Sequence, residues 1–127
     1  MSHFTEIALE LKDAACIKGA LEDMGFTVET GDVAIKGYTE NKQGDIVVRK
    51  SQLPSGCYGD MGFKLNKSTG NYDLVCDELD LNAGKLKIDE LKQNYGVRKV
   101  RSAARRQGFR VVRESRDKNK VRILLRR

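Results

Sequence analysis

Apolar residues along the chain fall into short groups, spaced sometimes at the period of a strand and sometimes at that of a helix. Ile7, Leu9 and Leu11 alternate with smaller or polar residues, the pattern of a half-buried strand. Asp13 then suits a helix N-cap, because its carboxylate can accept from an unpaired backbone N–H. Ile17, Ala20, Leu21 and Met24 follow at i, i+3, i+4 and i+7 and form one apolar face, which Gly25 ends. Residues 26–29 resume the strand period, so residues 5–29 predict a β–α–β unit.

Residues 30–32 read as a turn. Residues 33–35 and 45–48 read as a hairpin joined across residues 41–44. Residues 50–59 hold the only proline, Pro54, with Gly56 and Gly59, and predict an irregular loop. A second hairpin pairs residues 61–65 with 72–76 across the turn 66–71. From Asp80 the period becomes helical. Leu86, Ile88, Leu91 and Tyr95 line a helix stopped near Gly96. Val97, Val100, Ala103 and Ala104 line a second one, running to Gln107 and capped by Gly108. Residues 109–112 form a strand, and Val121, Ile123 and Leu125 alternate in a last strand after a turn at residues 117–119. Gly25-Phe26-Thr27-Val28 and Gly108-Phe109-Arg110-Val111 echo one another after a helix, as two α–β units on one sheet do. The expected fold is α+β: a mostly antiparallel sheet with helices on one face in a ferredoxin-like arrangement, extended by two hairpins. Residues 1–127 are expected to form one domain.

Charge changes this picture more than composition does. Net charge is +6, but residues 98–127 hold 13 Lys/Arg against Glu114 and Asp117, or +11. Residues 1–97 hold 11 Lys/Arg against 16 Asp/Glu, or −5. A positive end on a mildly negative body points to nucleic acid, an acidic protein surface or head-to-tail self-association. At 100° per residue, Arg98, Lys99, Arg101, Arg105 and Arg106 share one arc of the late helix, opposite the valine–alanine face, with Arg110 just beyond it. Arginine outnumbers lysine in this region, ten to three, and its planar fork suits phosphate or carboxylate. These six residues are the candidate partner or nucleic-acid site. A solvated helix face, or a basic seam docked on the acidic part of the chain itself, accounts for the same pattern.

The remaining chemistry is sparse. The three cysteines, Cys16, Cys57 and Cys76, are odd in number and widely spaced, as in a reduced, cytoplasm-like compartment. Cys57 lies in the Pro/Gly loop, where a thiol enzyme or redox sensor would need a base, and the only histidine is His3. Cys16 and Cys76 read as small buried hydrophobes. Asp73, Asp77, Glu78 and Asp80 form an acidic cluster without a calcium-loop pattern and read as the solvated end of a hairpin. Gly59-Asp60-Met61-Gly62 reads as a bulge or sharp bend rather than a nucleic-acid clamp. Neither zinc spacing nor a phosphate loop, dinucleotide fingerprint or catalytic triad can be written. The expectation is a non-enzymatic protein with no metal or cofactor. No apolar stretch approaches membrane-spanning length, and the first residues lack a signal-peptide pattern.

Several segments together resemble a known family: Met1-Ser2-His3-Phe4, Ala20-Leu21-Glu22-Asp23-Met24-Gly25, Tyr58-Gly59-Asp60-Met61-Gly62-Phe63, Gly70-Asn71-Tyr72-Asp73-Leu74-Val75, and Tyr95 with Gln107-Gly108-Phe109. In order and spacing these are similar to the conserved plastid reading-frame thirty-five family, a domain of unknown function. The resemblance spans nearly the whole chain. It implies a setting in plastid stroma, or in the cytoplasm of a cyanobacterial or cyanophage-infected cell. It carries over no catalytic residue, and it leaves the binding partner, acidic protein or nucleic acid, and the oligomeric state open. Relatives often end in an Arg-Trp-like tail; this chain ends Arg126-Arg127 and has no tryptophan.

Overall fold

The computed structural model describes residues 3–117 and 120–127. Five strands, β1 (Phe4–Ala8), β2 (Glu29–Lys36), β3 (Asn41–Val48), β4 (Met61–Leu65) and β5 (Tyr72–Asp77), form one sheet in the order β1-β5-β4-β3-β2, every pair antiparallel. Helix α1 (Ala14–Asp23) links the two edge strands. A short helix α2 (Glu78–Asn82) and a long helix α3 (Ile88–Arg106) follow β5. Among the described residues β6 (Arg110–Asp117) and β7 (Lys120–Arg126) pair only with each other, as a separate two-stranded ribbon. The expected antiparallel α+β architecture is present. The second α–β unit, however, does not return to the sheet, so the echo around Gly25 and Gly108 is one of helix capping and not of shared strand pairing.

Strand alternation sorts the sheet residues onto two faces. Ile46, Val48, Met61, Phe63, Leu74 and Cys76 meet Ile17, Ala20 and Leu21 of α1 and Leu91 and Tyr95 of α3 in the main core. Tyr95 also anchors α1: its hydroxyl accepts from the backbone N–H of Lys12 (3.0 Å) and Asp13 (3.1 Å), while the Asp13 carboxylate caps the helix through the Cys16 N–H. On the other face Ile35, Val47 and Val75 form a smaller cluster with Phe4 and Val33. The sheet curls to cover it. The β2–β3 register shifts between Thr30 and Val33, and the turn at residues 37–40 reaches the opposite edge. There the Phe4 N–H donates to Glu40 Oε1 at 3.3 Å, and Lys42 pairs with Glu6 at 3.4 Å.

Four sequence expectations are corrected. Residues 41–44 belong to β3, and the turn lies at residues 37–40. Residues 30–32 are an irregularity inside β2, with Gly31 at φ +100°, and not a connection. Residues 26–28 precede β2, although Phe26 and Val28 still pack against the core. Finally, α3 runs unbroken through Gly96. Helix continuity here is set by packing on both sides, and one glycine costs only about 1 kcal/mol against it. A Cβ at Gly96 would meet nothing within 4 Å. Gly96→Ala is therefore expected to raise stability by about 0.5–1 kcal/mol, measurable as a higher urea midpoint. The expected last turn includes residues 118 and 119, which lie outside the described residues.

Candidate anion-binding surface

α3 divides into two functional halves. Its first half, through Leu91 and Tyr95, seals the main core. Its second half runs beside α1 and carries the ribbon. Val97 and Ala104 are buried as their spacing predicted, but Val100 is 43% exposed. Val97 and Val100 instead face Val121 and Ile123 of β7 across an open cleft of about 760 Å³, also lined by Asp89, Gln93 and Gly96. Polar contacts help to hold the ribbon on α3. Arg101 of α3 pairs with Glu114 of β6, whose carboxylate also meets Arg116 of the same strand at 3.2 Å, and Arg116 Nη1 donates to Asn94 Oδ1 of α3 at 2.6 Å.

The six candidate cations do not form one free flank. Arg98 makes a two-pronged pair with Asp23 (2.9 and 2.7 Å), its guanidinium lying where a side chain on Gly19 would stand. Lys99 reaches Asp13 at 3.5 Å, and Arg101 is taken by Glu114. These three are a seam that joins α3 to α1 and to β6. Arg105, Arg106 and Arg110 are exposed and form no ion pair among the described residues; Arg106 only returns a hydrogen bond to the Ser102 carbonyl at 3.4 Å. Arg101, Arg105 and Arg110 line a shallow hollow with Phe109 and Val111. Phe109 is half-buried, with the Arg127 guanidinium 4.7 Å from its ring centre.

Hydrogen bonds from Arg98 hold the Asp23 carboxyl below its ordinary range, against a smaller opposing push from burial. A depressed carboxyl pKa stabilises the fold above the unfolded-state value, and that contribution fades as pH falls through the folded-state value. Both partners are more than a third exposed, so the pair is worth at most about 1 kcal/mol. Arg98→Gln is expected to lower the urea midpoint at neutral pH and to leave it unchanged once Asp23 is protonated.

Cation placement on the ribbon is what sequence spacing could not supply. Cross-strand partners share a face. Glu114, Ile123, Arg116, Val121, Val111 and Leu125 therefore look toward α3, and Arg110, Arg126, Arg113, Leu124, Ser115, Arg122, Asp117 and Lys120 look away. The register shift between Val111 and Arg113 accommodates Val112 as an extra residue and sets Arg113 on the outward face. Five exposed cations, Arg110, Arg113, Lys120, Arg122 and Arg126, thus share one outward surface with a single acid, Asp117, near its tip. Leu124 and Val112 stand exposed among them.

The cysteines and acids of the body serve the fold. All three thiols are free and buried. Burial pushes Cys57 up, with Asp80 adding to it, the opposite of what an activated nucleophile needs. Cys76 is pushed up to about 12 by burial. Asp77 and Asp80 are not solvated, as the hairpin-end reading had them: both are 1% exposed. Asp77 caps α2, and Asp80 accepts from the N–H groups of Tyr58 (2.9 Å) and Gly59 (3.3 Å). Gly59 lets the loop approach the Lys36 carbonyl closely, in keeping with the bend expected there. Among the described residues no group of three His, Cys, Asp or Glu side chains is placed to hold a metal ion, and no helix is long and apolar enough to cross a membrane.

A family model for proteins of unknown function, DUF1257, matches residues 20–124, from the middle of α1 into β7. The chain belongs to the DUF1257 family. The matched span of this DUF1257 protein includes both α3 and most of the ribbon, so the basic module lies inside the family domain. No curated protein and no solved structure matches the chain.

Proposed function

We propose that this DUF1257 chain is a non-enzymatic binding domain whose basic end, the last turn of α3 and the outward face of the ribbon, engages an acidic macromolecular partner. One observation carries the reading: the division of the cations. Arg98, Lys99 and Arg101 are neutralised by Asp23, Asp13 and Glu114, whereas Arg105, Arg106, Arg110 and the ribbon's outward arginines have no ion-pair partner among the described residues. Exposed like charges repel and cost stability. Gathering them on one face of a ribbon is disadvantageous unless a partner's negative charge meets them. The buried, raised Cys57 thiol supports a non-enzymatic reading over a thiol chemistry. The setting implied by the sequence resemblance is plastid stroma or the cytoplasm of a cyanobacterial or phage-infected cell.

Retention on immobilised heparin tests the division. Arg105→Gln/Arg106→Gln/Arg110→Gln is expected to elute at clearly lower salt than the unmodified chain. Arg98→Gln/Lys99→Gln, which removes two charges rather than three, is expected to elute close to it. The reverse order, or equal losses, would count against the proposal.

A further inference from the structure

Resting on that reading, we infer that the ribbon's outward face is a double-stranded DNA surface that enters the major groove. Three observations narrow the partner. First, the face presents Arg110, Arg113, Lys120, Arg122 and Arg126 with only Asp117 opposing them, a density of one sign that suits a phosphate-lined groove. Four of the five are arginines, whose fork matches phosphate oxygens and the guanine edge alike. Second, the element is a two-stranded antiparallel ribbon with both edges unpaired, eight and seven residues long. Its strands lie about 4.8 Å apart, and a B-form major groove about 12 Å wide admits such a ribbon. The major groove of duplex RNA is too deep and narrow for side chains to read. Third, residues 110–127 contain no aromatic side chain, so the face offers no stacking platform for single-stranded bases. Exposed Leu124 and Val112 offer apolar contact of the kind a thymine methyl accepts. Arg105 lines a hollow with Arg110 at the near end of the ribbon, where it can meet a flanking phosphate.

The test is fluorescence anisotropy with the full chain against duplex DNA, duplex RNA, single-stranded DNA and polyglutamate at several salt concentrations. The expected result is tightest binding to duplex DNA, with log affinity falling linearly with log salt. Arg113→Gln/Arg122→Gln should weaken duplex DNA binding by at least about tenfold. Neither side chain makes a hydrogen bond among the described residues, so the variant is expected to fold, as circular dichroism can verify. Arg98→Gln, a control with its charge already paired, should bind as the unmodified chain does. Equal affinity for single strands or duplex RNA would overturn the groove assignment, as would an Arg113→Gln/Arg122→Gln variant that binds normally. Preference for polyglutamate would overturn the DNA inference and leave an acidic protein partner standing. Failure to bind any of the four would overturn the inference and the binding reading together.

Discussion

Gly62→Val is expected to destabilise the chain by about 3 kcal/mol, the upper end of what overpacking costs. Gly62 pairs with Val47 on β3 and Val75 on β5, in the centre of the sheet. A Cβ there would collide with the Cδ1 and Cγ1 atoms of Ile35, which is fully buried, and crowd its Cγ2. Ile35 also lies over Gly44, where an added Cβ would stand 2.6 Å from its Cδ1. Both glycines are vacant on the same side because the curled β2–β3 hairpin folds Ile35 back over them. The collision is therefore specific to Ile35. Combining Gly62→Val with Ile35→Ala should cost clearly less than the two single changes together, since each relieves the other. Additive losses in a urea-denaturation cycle would show that the curl is not what excludes side chains at Gly62.

The second large effect is expected at Asp60, whose carboxylate is buried in the same curl. It accepts from the Lys36 N–H (2.9 Å), the Lys50 N–H (2.7 Å) and Arg49 Nη1 (2.8 Å). Arg49 in turn donates to Glu29 through both Nε and Nη2, and to the Ala34 carbonyl. One carboxylate thus ties the ends of β2 and β3 to the loop before β4. Asp60→Ala would leave the Lys36 and Lys50 N–H groups without their acceptor and Arg49 with only Glu29 and the Ala34 carbonyl, a loss of about 2–4 kcal/mol. Thermal unfolding should reveal it, while heparin retention measured on the remaining folded protein should be unchanged, because Asp60 belongs to the scaffold and not to the binding surface.

Local signals in the sequence specify α1, the β4–β5 hairpin and the paired last strands, because each is decided by residues close in the chain. Asp13, Ile17, Ala20, Leu21 and Gly25 suffice for α1. The β2–β3 hairpin is not legible in that way. Gly44 looks like a turn glycine, but its role is to clear space for Ile35, nine residues earlier. Gly37, in the real turn, is held small by the Phe4 ring, 2.6 Å from where its Cβ would be, which is a contact across 33 residues. Gly96 looks like a helix stop, but the core on one side and the ribbon on the other keep the helix whole. The candidate site was half legible. Helical spacing shows where the cations fall along α3, yet it could not show that Asp13, Asp23 and Glu114 neutralise three of them. Arg113, Lys120, Arg122 and Arg126 are visible in the sequence as charges, but their common face depends on the bulge at Val112 and on cross-strand register. The alternation in residues 120–126, with Val121, Ile123 and Leu125 on one side, was the signal that could have located that face.

The division between neutralised and available cations is tested most directly by mapping amide chemical shifts while the full chain is titrated with inorganic polyphosphate. Perturbations are expected in residues 105–117 and 120–127, strongest around Arg110, Arg113 and Arg122, with the α1–α3 seam at Asp13, Asp23 and Arg98 left in place. Shifts centred on that seam, or spread evenly over every basic residue of the chain, would contradict it.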